Sequence, residues 1–207
     1  FAAADLGATV VPMNSTLSSN DLLTAINVTD IHYIIGWHAA LKDFIECSKQ
    51  NFTLSLQQCI SAGGEVDGCM SFNEALETAP RAYKLGKQVI DDEVDFILTM
   101  TSGSTSVPKP IVFTQGTKIR RCFGAQELYG ITDKDITLVA TPMYHSISQR
   151  LVIMPVITGG TCVIMQKFSP KSWLASVDRH KVSFCILVSS QLEMILQHLG
   201  GTEADLG

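Results

Sequence analysis

The sequence predicts an α/β fold in which parallel-rich sheets are flanked by helices. Short apolar runs of strand length alternate along the chain with segments in which apolar residues recur every three or four positions. The run 182–188 is rich in apolar and β-branched residues, which is typical of a strand that is covered on both faces. Because strands and helices alternate repeatedly, neighbouring strands are expected to run parallel, with helices on both sides of the sheet.

In the first half of the chain, the pattern is clearest where turn and capping residues mark the ends of elements. Gly36 is expected to close a strand, and Ser71 with Glu74 forms a capping box that predicts the start of a helix, which Pro80 ends. The predicted elements are a strand at 9–13, a helix at 21–28, a strand at 31–35, irregular strand fragments at 50–70 and a helix after residue 71.

The second half of the chain gives the more regular pattern. Gly130 is a typical C-terminal stop, and Ser169-Pro170 is the preferred order for a cap followed by a first helical residue. The predicted elements are strands at 94–100, 136–140, 161–165 and 182–188, and helices at 118–128, 151–157, after 169 and after 190. The predicted inward-facing residues are Ile119, Cys122 and Phe123, then Trp173, Leu174 and Val177, then Leu192, Ile195, Leu196 and Leu199.

Composition excludes several classes of function. The chain has 207 residues, 46% of them hydrophobic, and a net charge of −5, so it can bury a core but carries no basic run for nucleic acid. Its apolar runs are too short to span a bilayer. The six cysteines form no C-x-x-C pair and have no histidine at ligand spacing, so they predict reduced thiols, no metal site, and the cytoplasm or another reducing compartment.

The nine residues 101–109, Thr-Ser-Gly-Ser-Thr-Ser-Val-Pro-Lys, are the most informative stretch. They follow an apolar strand, which is the usual position of a ligand loop in an open α/β sheet. Gly103 lets the backbone curl around an anion, the hydroxyl side chains can donate to phosphate oxygens, and Lys109 adds a charge on a flexible stem. The stretch therefore predicts a phosphate-binding loop, although composition alone also fits a plain Ser/Thr loop between two elements.

Two common phosphate and nucleophile motifs do not describe this loop. A Walker loop needs a second glycine before the lysine and Ser or Thr after it, and residues 103–110 have neither. The G-x-S-x-G pattern of a nucleophile elbow does not occur in the loop.

The loop closely resembles the signature T-S-G-[ST]-T-G-x-P-K-G of adenylate-forming enzymes, the superfamily of acyl-CoA synthetases, luciferases and peptide-synthetase adenylation domains. The chain departs from the pattern at Ser106 and Pro110, where glycine is usual. Further resemblances follow in family order at 1–13, at 111–115 with Gln115 where His is common, and at Pro142-Met143-Tyr144-His145-Ser146. Phe168-Ser169-Pro170 and the run 182–188 complete the series.

The resemblance implies that ATP, with Mg²⁺, activates a carboxylate to an acyl-adenylate, and that coenzyme A then accepts the acyl group. It implies a triphosphate site formed by Thr101, Ser102, Gly103, Ser104, Thr105 and Lys109. It also implies that His145 lies beside the reacting carboxylate and α-phosphate, whereas a half-buried structural histidine is the simpler alternative. His145 and Lys109 are thus the predicted catalytic residues.

The resemblance implies an acyl pocket as well. Tyr144, Ile147 and Ser148 follow the histidine motif and are expected to line this pocket, and the aliphatic Ile147 favours a fatty acid over an aryl or amino acid. Ser190 stands near a family pocket position but serves equally well as the cap of the last helix. The expected partners are thus small molecules only: a carboxylic acid, ATP and coenzyme A.

The same resemblance predicts that the chain is part of a longer protein, a fragment of the large N-terminal domain of an adenylate-forming enzyme, with targeting signals left undetermined. Residues 1–129 would belong to the first α/β subdomain and 130–207 to the second. The family's adenine-side loop, its Y-G-x-T-E segment, ribose-binding Asp and terminal-domain lysine are expected beyond this sequence, so the 207 residues alone are predicted to be inactive. The alternative is a non-catalytic relative that kept the fold, which Ser106, Pro110 and Gln115 leave open.

Overall fold

The computed structural model describes residues 1–48, 54–80, 91–101 and 109–200. The described residues fall into two compact units, one from Phe1–Val89 and Met100–Val112, the other from Ile90–Thr99 and Phe113–Gly207. This division groups the helix at 115–129 with the later residues, whereas the sequence analysis placed a subdomain boundary after residue 129. The assignment to the two family subdomains stays a prediction.

The first unit contains a small parallel sheet and helices. Its elements are the helices α1 (Ala2–Asp5), α2 (Ser19–Thr29), α3 (His38–Ser48) and α4 (Phe72–Thr78), and the strands β1 (Ile34–Trp37), β2 (Cys59–Ala62) and β3 (Met70–Ser71). The strands pair in the order β1-β2-β3, with Ile34 opposite Cys59 and Ile60 opposite Met70. All pairs are parallel, as the alternation predicts.

Helix α2 shows why these residues fold as they do. Ser18 begins the helix by accepting a hydrogen bond from the Asp21 N–H at 3.2 Å. The helix buries Leu23 and Ile26 against Phe44 of α3. Ser71 begins α4 in the same way, because its hydroxyl accepts from the Glu74 N–H at 3.0 Å as the capping box predicts.

Two predictions for this unit are wrong in detail. Residues 9–13 do not form a strand, since only Val10 makes an isolated bridge. The next strand lies at Ile34–Trp37 rather than 31–35, so Gly36 is inside the strand instead of closing it. A glycine without a positive φ can be accommodated in a strand, and a Cβ atom at this position would meet the Leu41 side chain at 3.3 Å.

The second unit is built on a three-stranded parallel sheet. Its helices are α5 (Gln115–Tyr129), α6 (Ser146–Thr158), α7 (Pro170–His180) and α8 (Ser189–Leu199), and its strands are β6 (Ile136–Val139), β7 (Thr161–Ile164) and β8 (Phe184–Cys185). Two further strands, β4 (Asp95–Thr101) and β5 (Lys109–Thr114), pair with each other and precede α5, and each has residues assigned to both units. Strand β8 is much shorter than the predicted 182–188.

The strand order β7-β6-β8 places β6 in the middle of the sheet. The chain therefore crosses in one direction through α6 and returns in the other through α7. Because parallel crossovers are right-handed, these two helices lie on opposite faces of the sheet. Leu138 in β6 and Ala140, which directly follows β6, pack against α7 and α8 on one face of the sheet. On the other face, α6 packs against α5.

Helix α6 contains a proline, and the structure supplies a partner for the carbonyl that the proline leaves free. Pro155 has no N–H to donate to Leu151 O four residues earlier. The Cys162 thiol on β7 donates to that carbonyl at 3.8 Å. Burial raises the pKa of Cys162, so the thiol keeps the proton that it donates. Gly159 then ends the helix with φ of +80°, as predicted from the sequence.

The predicted inner faces are only partly right. On α7, Trp173 and Val177 are buried as predicted. On α5, Phe123 is 51% exposed, and the buried side is formed by Lys118, Cys122 and Ala125. On α8, Ile195 is buried but Leu196 is 59% exposed, Leu192 is exposed as well, and the capping residue is Val188 rather than Ser190.

None of the described helices combines the length and the apolar content that crossing a membrane requires. The described residues also contain no cluster of three His, Cys, Asp or Glu side chains that could hold a metal ion. All six cysteines are free, with Cys59 and Cys122 buried and Cys47 exposed. The reducing compartment stays a prediction from the cysteine pattern.

Candidate functional site

A cleft of about 480 Å³ opens in the second unit. It lies where the carboxyl ends of β6 and β8 meet, since its lining residues follow one or the other of these neighbouring strands. The helices that follow the two strands, α6 and α8, lie on opposite faces of the sheet. A crevice at such a switch point is the usual ligand position in open α/β sheets. The lining residues are Thr141, Pro142, Tyr144, His145, Ser146, Ile147, Val188 and Gln191.

Tyr144 and His145 form one wall of the cleft. Their rings lie 4.4 Å apart between centroids and are inclined by 49°. His145 is exposed and is the N-terminal capping residue of α6, where its carbonyl accepts hydrogen bonds from the Ser148 N–H at 3.1 Å and the Gln149 N–H at 3.3 Å. The positive end of the α6 dipole therefore faces the same space as the imidazole, which favours a negatively charged ligand group.

Gln191 closes the cleft from the α8 side. Its Nε2 donates to Ala140 O at 3.0 Å, and its Oε1 accepts from the Val188 N–H at 3.2 Å and from Thr141 Oγ1 at 3.3 Å. One buried amide thus ties the end of β6 to the start of α8. Because three polar groups are satisfied at once, these hydrogen bonds stabilise the junction at the edge of the cleft.

Lys118 lies behind the wall formed by the start of α6. Its side chain is buried and its Nζ donates to Gln149 Oε1, with Ser146 Oγ 3.5 Å away. The ammonium group also lies 4.3 Å from the centre of the Phe113 ring. Burial, with Arg121 and Arg150 nearby, lowers the pKa of Lys118 from 10.5 to about 8.

Comparison with known proteins decides the family. The sequence profile of the AMP-binding enzyme family matches residues 1–207. The chain belongs to the AMP-binding enzyme family. This confirms the resemblance that the signature loop and the later motifs indicate, and it confirms the predicted α/β architecture of parallel sheets flanked by helices.

Several known proteins resemble the chain in sequence or in fold. An indoleacetate–CoA ligase of Aromatoleum aromaticum is 23% identical over the whole chain, which covers 40% of that ligase. A long-chain-fatty-acid–CoA ligase of Archaeoglobus fulgidus has a similar fold, with a TM-score of 0.86, 20% identity, and coverage of 97% of this chain and 39% of that one. The N-terminal domain of FACL13 from Mycobacterium tuberculosis gives a TM-score of 0.80 at 21% identity, covering 99% of this chain and 49% of that one.

The chain spans less than half the length of the curated relatives that it matches. The activity, substrates and partners of the whole AMP-binding protein are therefore matters for proposal.

Two of the predicted pocket residues of this AMP-binding chain come together with the predicted catalytic histidine. Tyr144, His145 and Ile147 all line the cleft. Ser148, also predicted to line it, is instead fully buried, and its Oγ has no hydrogen-bond partner among the described residues. Ser148 follows Ile147 directly on α6. Its side chain is therefore rotated by about 100° around the helix axis and points away from the cleft.

The predicted triphosphate loop falls mostly outside the described residues. Residues 102–108, which include Ser102, Gly103, Ser104 and Thr105, are not described. Thr101 is the last residue of β4, and Lys109 is exposed at the start of β5. The roles of these residues and of His145 stay predictions.

One segment resembles the Y-G-x-T-E motif in sequence but not in its position in the fold. Residues 129–133 read Tyr-Gly-Ile-Thr-Asp, close to the Y-G-x-T-E pattern. However, Gly130 ends α5 with φ of +66°, and the turn leads into the amino end of β6, at the opposite edge from the cleft. Asp135 nearby is held by the Thr132 N–H at 2.7 Å and by Ser183 Oγ at 2.7 Å, bonds that lower its pKa and give the turn a structural role.

The sequence did not identify three residues at the site. Two of them are distant in sequence from the histidine motif, and the third is a lysine, a residue type that is usually exposed. Gln191 and Val188 line the cleft some 50 positions after Thr141, and Lys118 lies behind it. The available signal for Lys118 was its position one turn before the apolar Cys122 on a helix, which marks an inward-facing site.

Proposed function

We propose that the natural protein containing this chain activates a carboxylic acid with ATP and then transfers the acyl group to coenzyme A. The observation that carries this proposal is the cleft at the switch point of an AMP-binding chain, with His145 at the positive end of α6. Relatives named as CoA ligases, such as the indoleacetate–CoA ligase, support the same reaction class.

The proposed first step joins two anions. A carboxylate oxygen attacks the α-phosphorus of ATP, the acyl–phosphate bond forms, and the bond to the leaving pyrophosphate breaks. Repulsion between the carboxylate and the phosphate and the growing charge on pyrophosphate oppose the step, so donors placed around these oxygens accelerate it. We assign His145 and the positive end of the α6 dipole to the oxygens of the carboxylate and α-phosphate.

The leaving group requires a second set of donors. The hydroxyls and amides of residues 101–105 and the Lys109 ammonium are proposed to hold the β- and γ-phosphates. Mg²⁺ is proposed as the companion of the ATP phosphates. Because Pro110 has no N–H and fixes its own φ, the exit of this loop is expected to be stiffer than in the usual pattern.

An apolar acyl group suits the cleft. Pro142, Ile147 and Val188 give it an apolar side, whereas the polar groups gather around His145 and Gln191. We propose an aliphatic acid as substrate, because Ile147 and Val188 are aliphatic. The named relatives include ligases of both aryl and long-chain fatty acids, so a panel of acids must decide.

The test is ATP–pyrophosphate exchange by the longest natural reading frame that contains this sequence. Aliphatic, aryl and amino acids are compared, and coenzyme A is then added to measure thioester formation. We expect Lys109→Ala, Thr101→Ala and His145→Ala each to lower exchange, by on the order of 10²-fold for the loss of a charged or well-placed donor. Lys134→Ala, in an exposed turn, is the matched control.

Two results would contradict the proposal. Exchange that is unaffected by Lys109→Ala and Thr101→Ala would remove the loop from the site. A protein that binds ATP but shows no exchange with any acid would favour the non-catalytic relative.

A further inference from the structure

We propose that Lys118 is a positioning residue for carboxylate activation, holding through Gln149 and Ser146 the short segment that carries Tyr144 and His145 into the cleft. The inference rests on the proposed function of that cleft. It concerns a buried side chain that is not among the residues lining the cleft, and whose effect would pass through its neighbours.

The hydrogen bonds around Lys118 enclose the two cleft residues from both sides. The Lys118 Nζ donates to Gln149 Oε1, and Gln149 Nε2 donates to Met143 O at 3.1 Å. Lys118 Nζ also lies 3.5 Å from Ser146 Oγ. Met143 immediately precedes Tyr144 and Ser146 immediately follows His145, so one ammonium group fixes both ends of this dipeptide.

The orientation of the Gln149 amide depends on the lysine. An ammonium group has only donors, so it requires the carbonyl oxygen of Gln149 to face it. The amide nitrogen is then free to donate to the Met143 carbonyl. Among the described residues, no other α5 side chain donates to Gln149 Oε1, so without Lys118 we expect the bond to Met143 to be made less often.

The surroundings of Lys118 disfavour a positive charge. Lys118 is only 3% exposed, and no Asp or Glu among the described residues forms an ion pair with it. The charged or titratable groups that face it are Arg121 on its own helix, which shares the Phe113 ring at 5.2 Å, Cys122, and Arg150 on α6. The two arginines and burial all oppose the charge, and an apolar residue would fit the fold better.

A buried lysine with a lowered pKa and no ion-pair partner is typical of functional sites. The low pKa of about 8 also makes the arrangement sensitive to pH, since loss of the charge weakens the bond to Gln149. A role in catalysis predicts that activity and stability respond in opposite directions when the charge is removed, because the charge is unfavourable for folding. A purely structural role predicts that they fall together.

The experiment uses the longest natural reading frame with an acid that supports exchange. Lys118→Met removes charge and donors while keeping length, Lys118→Arg keeps both but does not titrate near pH 8, and Lys134→Met is the exposed control. We expect Lys118→Met to lower kcat/KM for the acid about tenfold with an equal or higher Tm, and Lys118→Arg to recover part of the activity. The wild-type rate should fall above pH 8, and this fall should be absent in both variants.

A double-mutant cycle with Gln149→Leu tests the route of the effect. If Lys118 acts through Gln149, the second substitution adds little to the first. Additive losses, or a loss of activity that follows Tm with an unchanged pH profile, would overturn the proposal.

A measurement independent of activity separates this proposal from the proposed function. Amide hydrogen exchange should become faster at residues 143–149 in Lys118→Met and remain unchanged there in Lys134→Met. If no acid supports exchange of pyrophosphate, the proposed function fails, and the hydrogen-exchange result still decides whether Lys118 orders the segment. Unchanged amide exchange in Lys118→Met would overturn the positioning role.

Discussion

At the scale of single residues, one buried polar side chain lines the cleft and another lies behind it, and both bridge chain segments that are far apart in sequence. Gln191 joins the end of β6 to the start of α8, and Lys118 joins α5 to α6. The amide is neutral and satisfied, so its burial costs little. The lysine is charged and has only neutral acceptors, so its burial costs more and leaves a signature in the pH dependence of stability.

Stability should therefore respond to pH through Lys118. Its pKa in the fold, about 8, is below the value of 10.5 expected in the unfolded chain, so the penalty of burying the charge is fully present below pH 8 and is relieved as pH rises to 10.5. Lys118→Met should thus be more stable than the wild type at pH 7, by at most roughly 3 kcal/mol, with the difference narrowing towards pH 10. Denaturant unfolding at several pH values measures this.

The comparison must be made between variants, because Cys59 has the opposite effect. Burial, with Cys69 beside it, raises the pKa of Cys59 from 9.0 to about 11, so the stability linked to its proton is lost as pH rises through this range. Both proteins share Cys59, and its contribution cancels in the difference. A difference between wild type and Lys118→Met that is constant from pH 7 to 10 would contradict the prediction.

At the scale of elements, several helix ends were predictable from sequence, whereas the buried faces were predictable only in part. Ser71, Ser169, Gly130 and Gly159 act locally, through hydrogen bonds or a positive φ within a few residues, so the sequence alone identifies them. A buried face depends on what packs against the helix. On α5 the apolar Phe123 is exposed, whereas Lys118 is buried because Gln149 and Phe113 provide its partners.

A pair of glycines provides a test at this scale. Gly160 lies between α6 and β7, and a Cβ there would come within 2.9 Å of Asp135 O, a carbonyl that is fixed by accepting the Thr161 N–H at 3.1 Å. We expect Gly160→Ala to destabilise the protein by about 1–3 kcal/mol, because the backbone of a paired strand must move. At Gly124, inside α5, a Cβ would have no atom of the described residues within 4 Å beyond its own helix backbone and chain neighbours.

Gly124→Ala is therefore the matched control and should stabilise the protein by about 0.5–1 kcal/mol through helix propensity. Thermal or denaturant unfolding of the two variants gives both values. If both substitutions changed the free energy of unfolding by the same amount and in the same direction, the junction between α6 and β7 would have to accommodate a Cβ atom at residue 160, and the prediction would be wrong.

At the scale of the whole molecule, family motifs identified one side of the cleft, and tertiary structure supplied the other. Tyr144, His145 and Ile147 are close together in sequence and could be predicted as a group. Gln191 and Val188 reach the cleft only because β8 pairs with β6, a pairing between residues that are nearly 50 positions apart. No local pattern encodes that neighbourhood.

The activity of the 207 residues by themselves is the last prediction. The resemblance assigns the binding of adenine and ribose, and the lysine of the terminal domain, to motifs that do not occur in this sequence. The segment Tyr129-Gly130-Ile131-Thr132-Asp133 lies at the opposite edge of the sheet from the cleft, so it cannot replace one of these motifs. Catalysis by positioning depends on holding both reactants, so losing the nucleoside contacts should remove most of the rate. We expect the purified 207-residue chain to show no measurable ATP–pyrophosphate exchange, while the longest natural reading frame does. Circular dichroism of the short chain controls for folding, and exchange by the folded short chain at the rate of the long protein would place a complete site within these residues.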